Sequence, residues 1–462
     1  MPVTLLPATE QLVMLRRRAI TPQELAEEHI TQIQRLNPAL NALIDFDPDR
    51  VRKQAARPRP GPLSGLPMTV KSSISVAGYR CETGSTINRG SIPEKNAVVV
   101  DRLLQAGAIM LGTTNCPEFL MAYETENLLH GSTRNPWNLD HTAGGSSGGE
   151  SAAIAAGMSA GGLGSDSGGS VREPAHFTGI CALKPTAGRF PAAGHLPPCI
   201  GPFAFLGSIG PMARTIGDLR LLFETLSGHD PTDPSSAPVP HRSITRDEAR
   251  RLPIGWFEDD GTVPVTEETR AAIHQTARAL DRQGFTVKPF RPKSLEAARK
   301  LWWAFFVQCG AMLYAPTIRG REEQLSPTFR DYLEIAQAEK PLTADSLLNA
   351  WVESDKVRAQ LLEEMSEFPI LLCPVSSIPA FKPFERSWSI GGQTVAYLDA
   401  MRYTQWFNLL GGPAAVVPVS RSADGLPIGV QIAGRPFADE LVLEVAAAVE
   451  SDFGYQPPPM AL

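Results

Sequence analysis

The sequence predicts an α/β fold: a large, mixed, mostly buried β-sheet sandwiched between helices. Three observations carry this. Helical and strand-like patterns alternate from end to end of the 462 residues. Two strand candidates, "PILLCP" at 369–374 and "LPIGVQIAG" at 426–434, are apolar runs of the kind found in strands covered on both faces. The composition, 43% hydrophobic and 20% charged, is that of a globular chain long enough to bury a large core.

The elements follow in order. "TPQELAEEHITQIQRL" opens with Thr21 as N-cap, Pro22 at the first helical position and Glu24 to complete a capping box. Leu25, His29, Ile33 and Leu36 then recur at helical spacing. "GLPMTVKSSISVAG" reads as a short strand ending near Lys71. "AVVVDRLLQAGA" reads as a helix and "IMLGTTN" as the strand after it. "GGESAAIAAGM" is a helix of small residues that can approach a neighbour closely. "TIGDLRLLFETLSG" is a capped helix with Gly228 as its stop.

Residues 229–243, "HDPTDPSSAPVPHRS", form a Pro- and Ser-rich surface connection. Beyond it come strand "LPIGWF", helix "EETRAAIHQTARALDRQG" and strand "FTVKPF". A helical region with aromatics spans roughly 295–365, and "DELVLEVAAAVE" closes the chain as a helix. Apolar strands lie on both sides of 229–243, so a single domain over 1–462 is expected.

The net charge of −6 gives no general affinity for phosphate backbones or anionic lipid, and no nucleic-acid partner is expected. The longest apolar run, 301–315, is shorter than the ~20 helical residues that span a bilayer. The N-terminal residues lack an apolar run behind a basic segment, so no signal peptide is read and a cytoplasmic location is expected. The six cysteines form no C-x-x-C pair and read as free buried thiols, not as a zinc site.

Chemistry is suggested by two glycine-flanked serine stretches, "TAGGSSGGESAA" at 142–153 and "SDSGGSVREPA" at 165–175. No Lys follows these glycines as a Walker A loop requires, and no G-x-G-x-x-G dinucleotide fingerprint is present. "GGSSG" at 144–148 matches the hydrolase nucleophile elbow G-x-S-x-G, but the last histidine is His274, leaving no late base. Either stretch alone reads as tight turns and close helix packing. Together they present more: Gly168, Gly169 and Ser170 offer consecutive N–H groups with little bulk, the arrangement of an oxyanion hole beside a nucleophile. With no His to serve it, a serine needs another base. A buried lysine can titrate low enough to act as one. Lys71, at the end of an apolar strand, is the candidate; taken by itself a lysine reads as a solvated surface charge, and periodicity does not overturn that reading.

Taken with Lys71, the two stretches resemble the amidase signature family. "GICALKPTAGRFP", "GPMART", "RNPWN", "GTTNCPEF" and "GLPIGVQIAG" resemble its flanking landmarks, in order, over essentially the whole chain. The resemblance implies a Ser–Ser–Lys triad: Ser170 as nucleophile, Ser146 as a bridging serine held by a cis peptide bond, and Lys71 as base. It implies oxyanion donors in the segment Ser167, Gly168, Gly169 and Ser170, with Ser147 and Asp166 steadying the loop. Arg172 is expected in a structural ion pair. Ser167 and Ser72 depart from the residues usual in the family. The implied activity is hydrolysis of a hydrophobic or aryl carboxamide through an acyl-enzyme, without metal or organic cofactor. The alternative is the glutamine-hydrolysing component of a tRNA-dependent amidotransferase. A small-molecule amide is the expected partner, and a homodimer is compatible with this reading. The aromatic stretch 301–306 with Tyr314 reads either as a pocket wall or as the packed face of a core helix.

Overall fold

The computed structural model describes residues 1–461. Its strands, in chain order, are β1 (Leu43–Phe46), β2 (Pro67–Lys71), β3 (Ile109–Thr114), β4 (Arg134–Asn135), β5 (Asn138–Thr142), β6 (Gly161–Asp166), β7 (Cys181–Lys184), β8 (Ser208–Ala213), β9 (Ile254–Trp256), β10 (Val287–Pro289), β11 (Ile370–Pro374), β12 (Ser387–Ile390), β13 (Gln393–Ala396), β14 (Ala414–Arg421) and β15 (Pro427–Gly434). Eleven of them form one sheet in the order β1-β3-β2-β6-β8-β7-β14-β15-β11-β9-β10. Parallel pairs (β2 with β3 and β6, β9 with β10 and β11) occur alongside antiparallel ones, so the sheet is mixed. The fold is α/β, as expected. Strands from both sides of 229–243 join this sheet through the pairing of β7 with β14.

Alternation along β11 shows why its sequence reads as a continuous apolar run. Ile370 and Leu372 enter a core built with helices Val98–Gln105, Ile216–Leu226 and Glu267–Arg282. Leu371 and Cys373 face an aromatic core on the opposite side. Both faces are covered, so no polar residue alternates in.

The first long helix carries its capping box and runs on through Pro38 to Leu40. Pro38 cannot donate a backbone hydrogen bond. The end is closed instead by Asn37 Oδ1, which accepts from the N–H groups of Ala42 and Leu43. Helix Ile216–Leu226 stops short of Gly228, with Ser227 as its C-cap. Gly228 serves a turn instead (φ +120°), its N–H donating to the Arg189 carbonyl.

One helix is longer than its sequence suggests. Residues Leu295–Ile318 form a continuous helical run, because a π-helical turn at Ala304–Gln308 joins its two halves. With 24 residues and an 18-residue stretch of mean hydropathy 1.2, it is long and apolar enough to cross a membrane. Here Trp302, Phe305, Val307 and Tyr314 bury its inner face in the aromatic core.

Candidate active site

β2 and β6 are parallel neighbours, so their carboxyl ends open on the same edge of the sheet. That is where open α/β sheets place their sites. Lys71 ends β2 and Asp166 ends β6. The two serine stretches meet there, each running directly into a helix, Gly148–Ala155 and Arg172–Thr178.

Close packing explains the glycines. The backbone of 122–124 passes so near Gly145 that a Cβ there would lie 2.6 Å from the Ala122 carbonyl oxygen. A Cβ at Gly164 would lie 2.6 Å from Ser147 Oγ. The Gly145–Ser146 peptide bond is cis.

Lys71 is fully buried, and its Nζ donates to Ser146 Oγ at 2.7 Å and Ser165 Oγ at 3.2 Å. Burial lowers its pKa to about 8, against the opposing pull of Cys116, Asp166 and Glu150. Ser146, Ser165, Ser167 and Ser170 line one pocket. Ser147 ties the two stretches together: its N–H donates to the Ser170 carbonyl at 3.1 Å, and its Oγ accepts from Ser165 N–H at 3.4 Å.

Asp166 organises the turn that carries Ser170. Its carboxylate accepts from the N–H groups of Gly169 (2.8 Å) and Val171 (3.3 Å), and from Arg172 at 2.9 Å through both Nε and Nη2. Burial alone would raise its pKa; the Arg172 charge and hydrogen bonds win and hold it well below the usual carboxylate range. Arg172 is buried as well, and it also donates to Asn408 Oδ1, Gln431 Oε1 and the Thr404 carbonyl. It is therefore structural.

One expectation needs correcting. The Gly169 N–H is committed to Asp166 and is not open to an oxyanion. Among the described residues, no protein acceptor takes the N–H of Ser167, Gly168 or Ser170.

The pocket wall is apolar: Phe119, Leu120, Met121, Phe203, Phe306 and Tyr314. Of the aromatic stretch, Phe306 thus faces the pocket with Tyr314, whereas Phe305 is core and Trp303 lies outside against Arg299. His195 also borders the pocket. Its Nδ1 lies 2.8 Å from the Pro197 carbonyl, which assigns the proton to Nδ1. Burial lowers its pKa to about 4, so it is neutral.

Sequence reading missed Ser165, the second partner of Lys71, although it stands in the quoted stretch two residues before Ser167. It also missed Asn408, Gln431 and Thr404, which lie more than 230 residues from Asp166 and Arg172 and carry no local signal.

A buried lysine, flanking serines and unclaimed backbone N–H groups thus meet beside an apolar pocket. The chain belongs to the amidase family, which it matches over residues 24–443, and it is a hydrolase acting on amide carbon–nitrogen bonds. A Ser–Ser–Lys triad is characteristic of that family. The chain is similar to an indoleacetamide hydrolase of Bradyrhizobium diazoefficiens (32% identical, 98% of this chain and 87% of the relative). It is also similar to an acylamidase of Rhodococcus erythropolis (33% identical, 96% of this chain and 95% of the relative). Among solved structures, a bacterial aryl acylamidase of the amidase signature family superposes with a TM-score of 0.86 (25% identical, 98% of this chain and 97% of that one).

Proposed function

We propose that this protein hydrolyses hydrophobic or aryl carboxamides, with Ser170 as nucleophile, Ser146 as proton relay and Lys71 as base. Once deprotonated, Lys71 still donates an N–H to Ser165 Oγ and turns its lone pair to the Ser146 hydroxyl, whose oxygen stands 2.7 Å away. Ser146 passes its proton to Lys71 as it takes one from Ser170. Ser170 Oγ attacks the amide carbonyl, and the unclaimed N–H groups of the 167–170 segment receive the developing oxyanion. The proton returns through Ser146 to the leaving amine. Water then attacks the ester, with the same groups acting in reverse, and releases the acid.

The observation that carries the substrate class is the pocket wall. Among the described residues lining it there is no Asp, Glu, Lys or Arg. Glutamine would bring an α-carboxylate and an α-ammonium group into that wall without a counter-charge, a costly desolvation. An apolar acyl group instead gains from burial against the Phe and Tyr rings. The activities for which the indoleacetamide hydrolase and the acylamidase are named accord with this reading.

The test is ammonia release from purified protein with an aryl-acetamide series and with glutamine. A kcat/KM at least ~100-fold higher for the aryl amides is expected. Comparable or better turnover of glutamine would favour the amidotransferase reading.

A further inference from the structure

We propose that Trp302 positions the oxyanion loop and couples it to the acyl pocket, a role that rests on Ser170 being the nucleophile. Trp302 is fully buried, and its indole Nε1–H donates to the Ser167 carbonyl at 2.8 Å. The peptide that follows is trans, so its C=O and N–H point in opposite directions. Holding the Ser167 carbonyl on the indole therefore aims the Gly168 N–H away from it, and that N–H is one of those with no protein acceptor among the described residues. The indole also blocks the loop from sliding: a Cβ on Gly168 would lie 2.6 Å from the ring.

The next peptide is pinned in the same way. The Gly168 carbonyl accepts from Tyr123 Oη at 2.8 Å and Thr404 Oγ1 at 2.6 Å, which turns the Gly169 N–H to Asp166. Two successive carbonyls are thus anchored by side chains distant in sequence. The first anchor is linked to the pocket through a stacked ring. Trp302 stacks on Phe306 with ring centroids 4.6 Å apart and planes 13° apart, and Phe306 packs edge-on to Phe203 at 5.8 Å. Phe203 and Phe306 both line the pocket beside Ser170. An acyl group pressed against Phe306 therefore bears, through one stacked ring, on the residue that orients the Gly168 N–H. The role is one of positioning: Trp302 acts through the loop and does not line the pocket.

The experiment measures steady-state hydrolysis of aryl and short-chain carboxamides by wild type, Trp302→Phe and Trp303→Phe, with melting temperature and fluorophosphonate labelling rate. Trp302→Phe keeps an aromatic ring and loses the N–H. Expected are a kcat lower by about 10–100-fold, KM within about twofold, a parallel slowing of labelling and an unshifted pH midpoint. The advantage in kcat of aryl over short-chain amides should shrink in the same variant. Trp303→Phe should match wild type. If Trp302→Phe misfolds, benzothienylalanine at 302, isosteric but without the N–H, replaces it with the same expectations. An unchanged kcat, or a rise in KM alone, in either Trp302 variant overturns the proposal. A folded wild type with no amide hydrolysis and no labelling of Ser170 overturns the Ser170 reading, and this one with it.

Discussion

Lys71 Nζ and Ser146 Oγ stand 2.7 Å apart although 75 residues separate them in the chain. The contact is buried on both sides, so no bulk water competes for the lysine lone pair. Ser170→Ala should leave the fold intact and lower kcat by at least ~10⁴-fold, because the other groups then have no nucleophile to serve. Ammonia release, together with intact-mass detection of a fluorophosphonate adduct on wild type alone, checks this.

The pH profile follows from the buried lysine. Burial brings Lys71 down to about 8, and the base must be neutral to accept a proton. Activity on an amide should therefore rise with pH through about 8 and level off above it. Folding stability should respond to the same group. Its folded pKa is below the unfolded value of 10.5, so the unfolded chain binds more protons between about 8 and 10.5. Lys71 alone then makes stability rise with pH in that window. Glu150, raised by burial from 4.5 to about 8, works in the opposite sense and lowers stability as pH climbs from 4.5 to 8. Urea melts of wild type, Lys71→Met and Glu150→Gln at pH 6, 8 and 10 separate the two contributions.

Arg172→Leu should be strongly destabilising. It strands the buried Asp166 carboxylate and frees Asn408 and Gln431 from their shared partner. Losing one member of a buried pair costs about 3–5 kcal/mol. A fall in urea midpoint with an unchanged m-value is the expected readout.

Phe203→Ala tests the pocket wall. Removing a ring that borders Ser170 should raise KM for aryl carboxamides roughly 10–100-fold, in keeping with ~1.5–3 kcal/mol for a buried side chain. Acetamide, too small to reach the ring, should be affected little.

Gly162→Ala should fail to accumulate as soluble protein. A Cβ there would lie 1.9 Å from Glu150 Oε1 and 2.4 Å from the Thr69 carbonyl, in the middle of the sheet. Expression at reduced temperature with a solubility assay checks it.

Strand β6 shows where sequence reading stops. Its "GGLGSD" has little strand propensity and carries neither an alternating nor a continuous apolar pattern. The chain forms a strand there because β2 and β8 pair with it on either side and because side chains would not fit beneath it. β14 is equally hard to read, with Pro418 inside it beside a bulge.

Legible from the chain were the alternation of helices and strands, the strands covered on both faces, and the two serine stretches with a lysine at a strand end. These are local: periodicity, capping and short motifs depend on neighbours a few residues away. Folding in three dimensions added that Lys71 loses its water and titrates near 8, that Ser165 shares it with Ser146, and that the Gly169 N–H belongs to Asp166. It also settled which aromatic rings of 301–306 meet the pocket. Each of these depends on desolvation and on contacts between residues up to hundreds of positions apart, which no short-range pattern records.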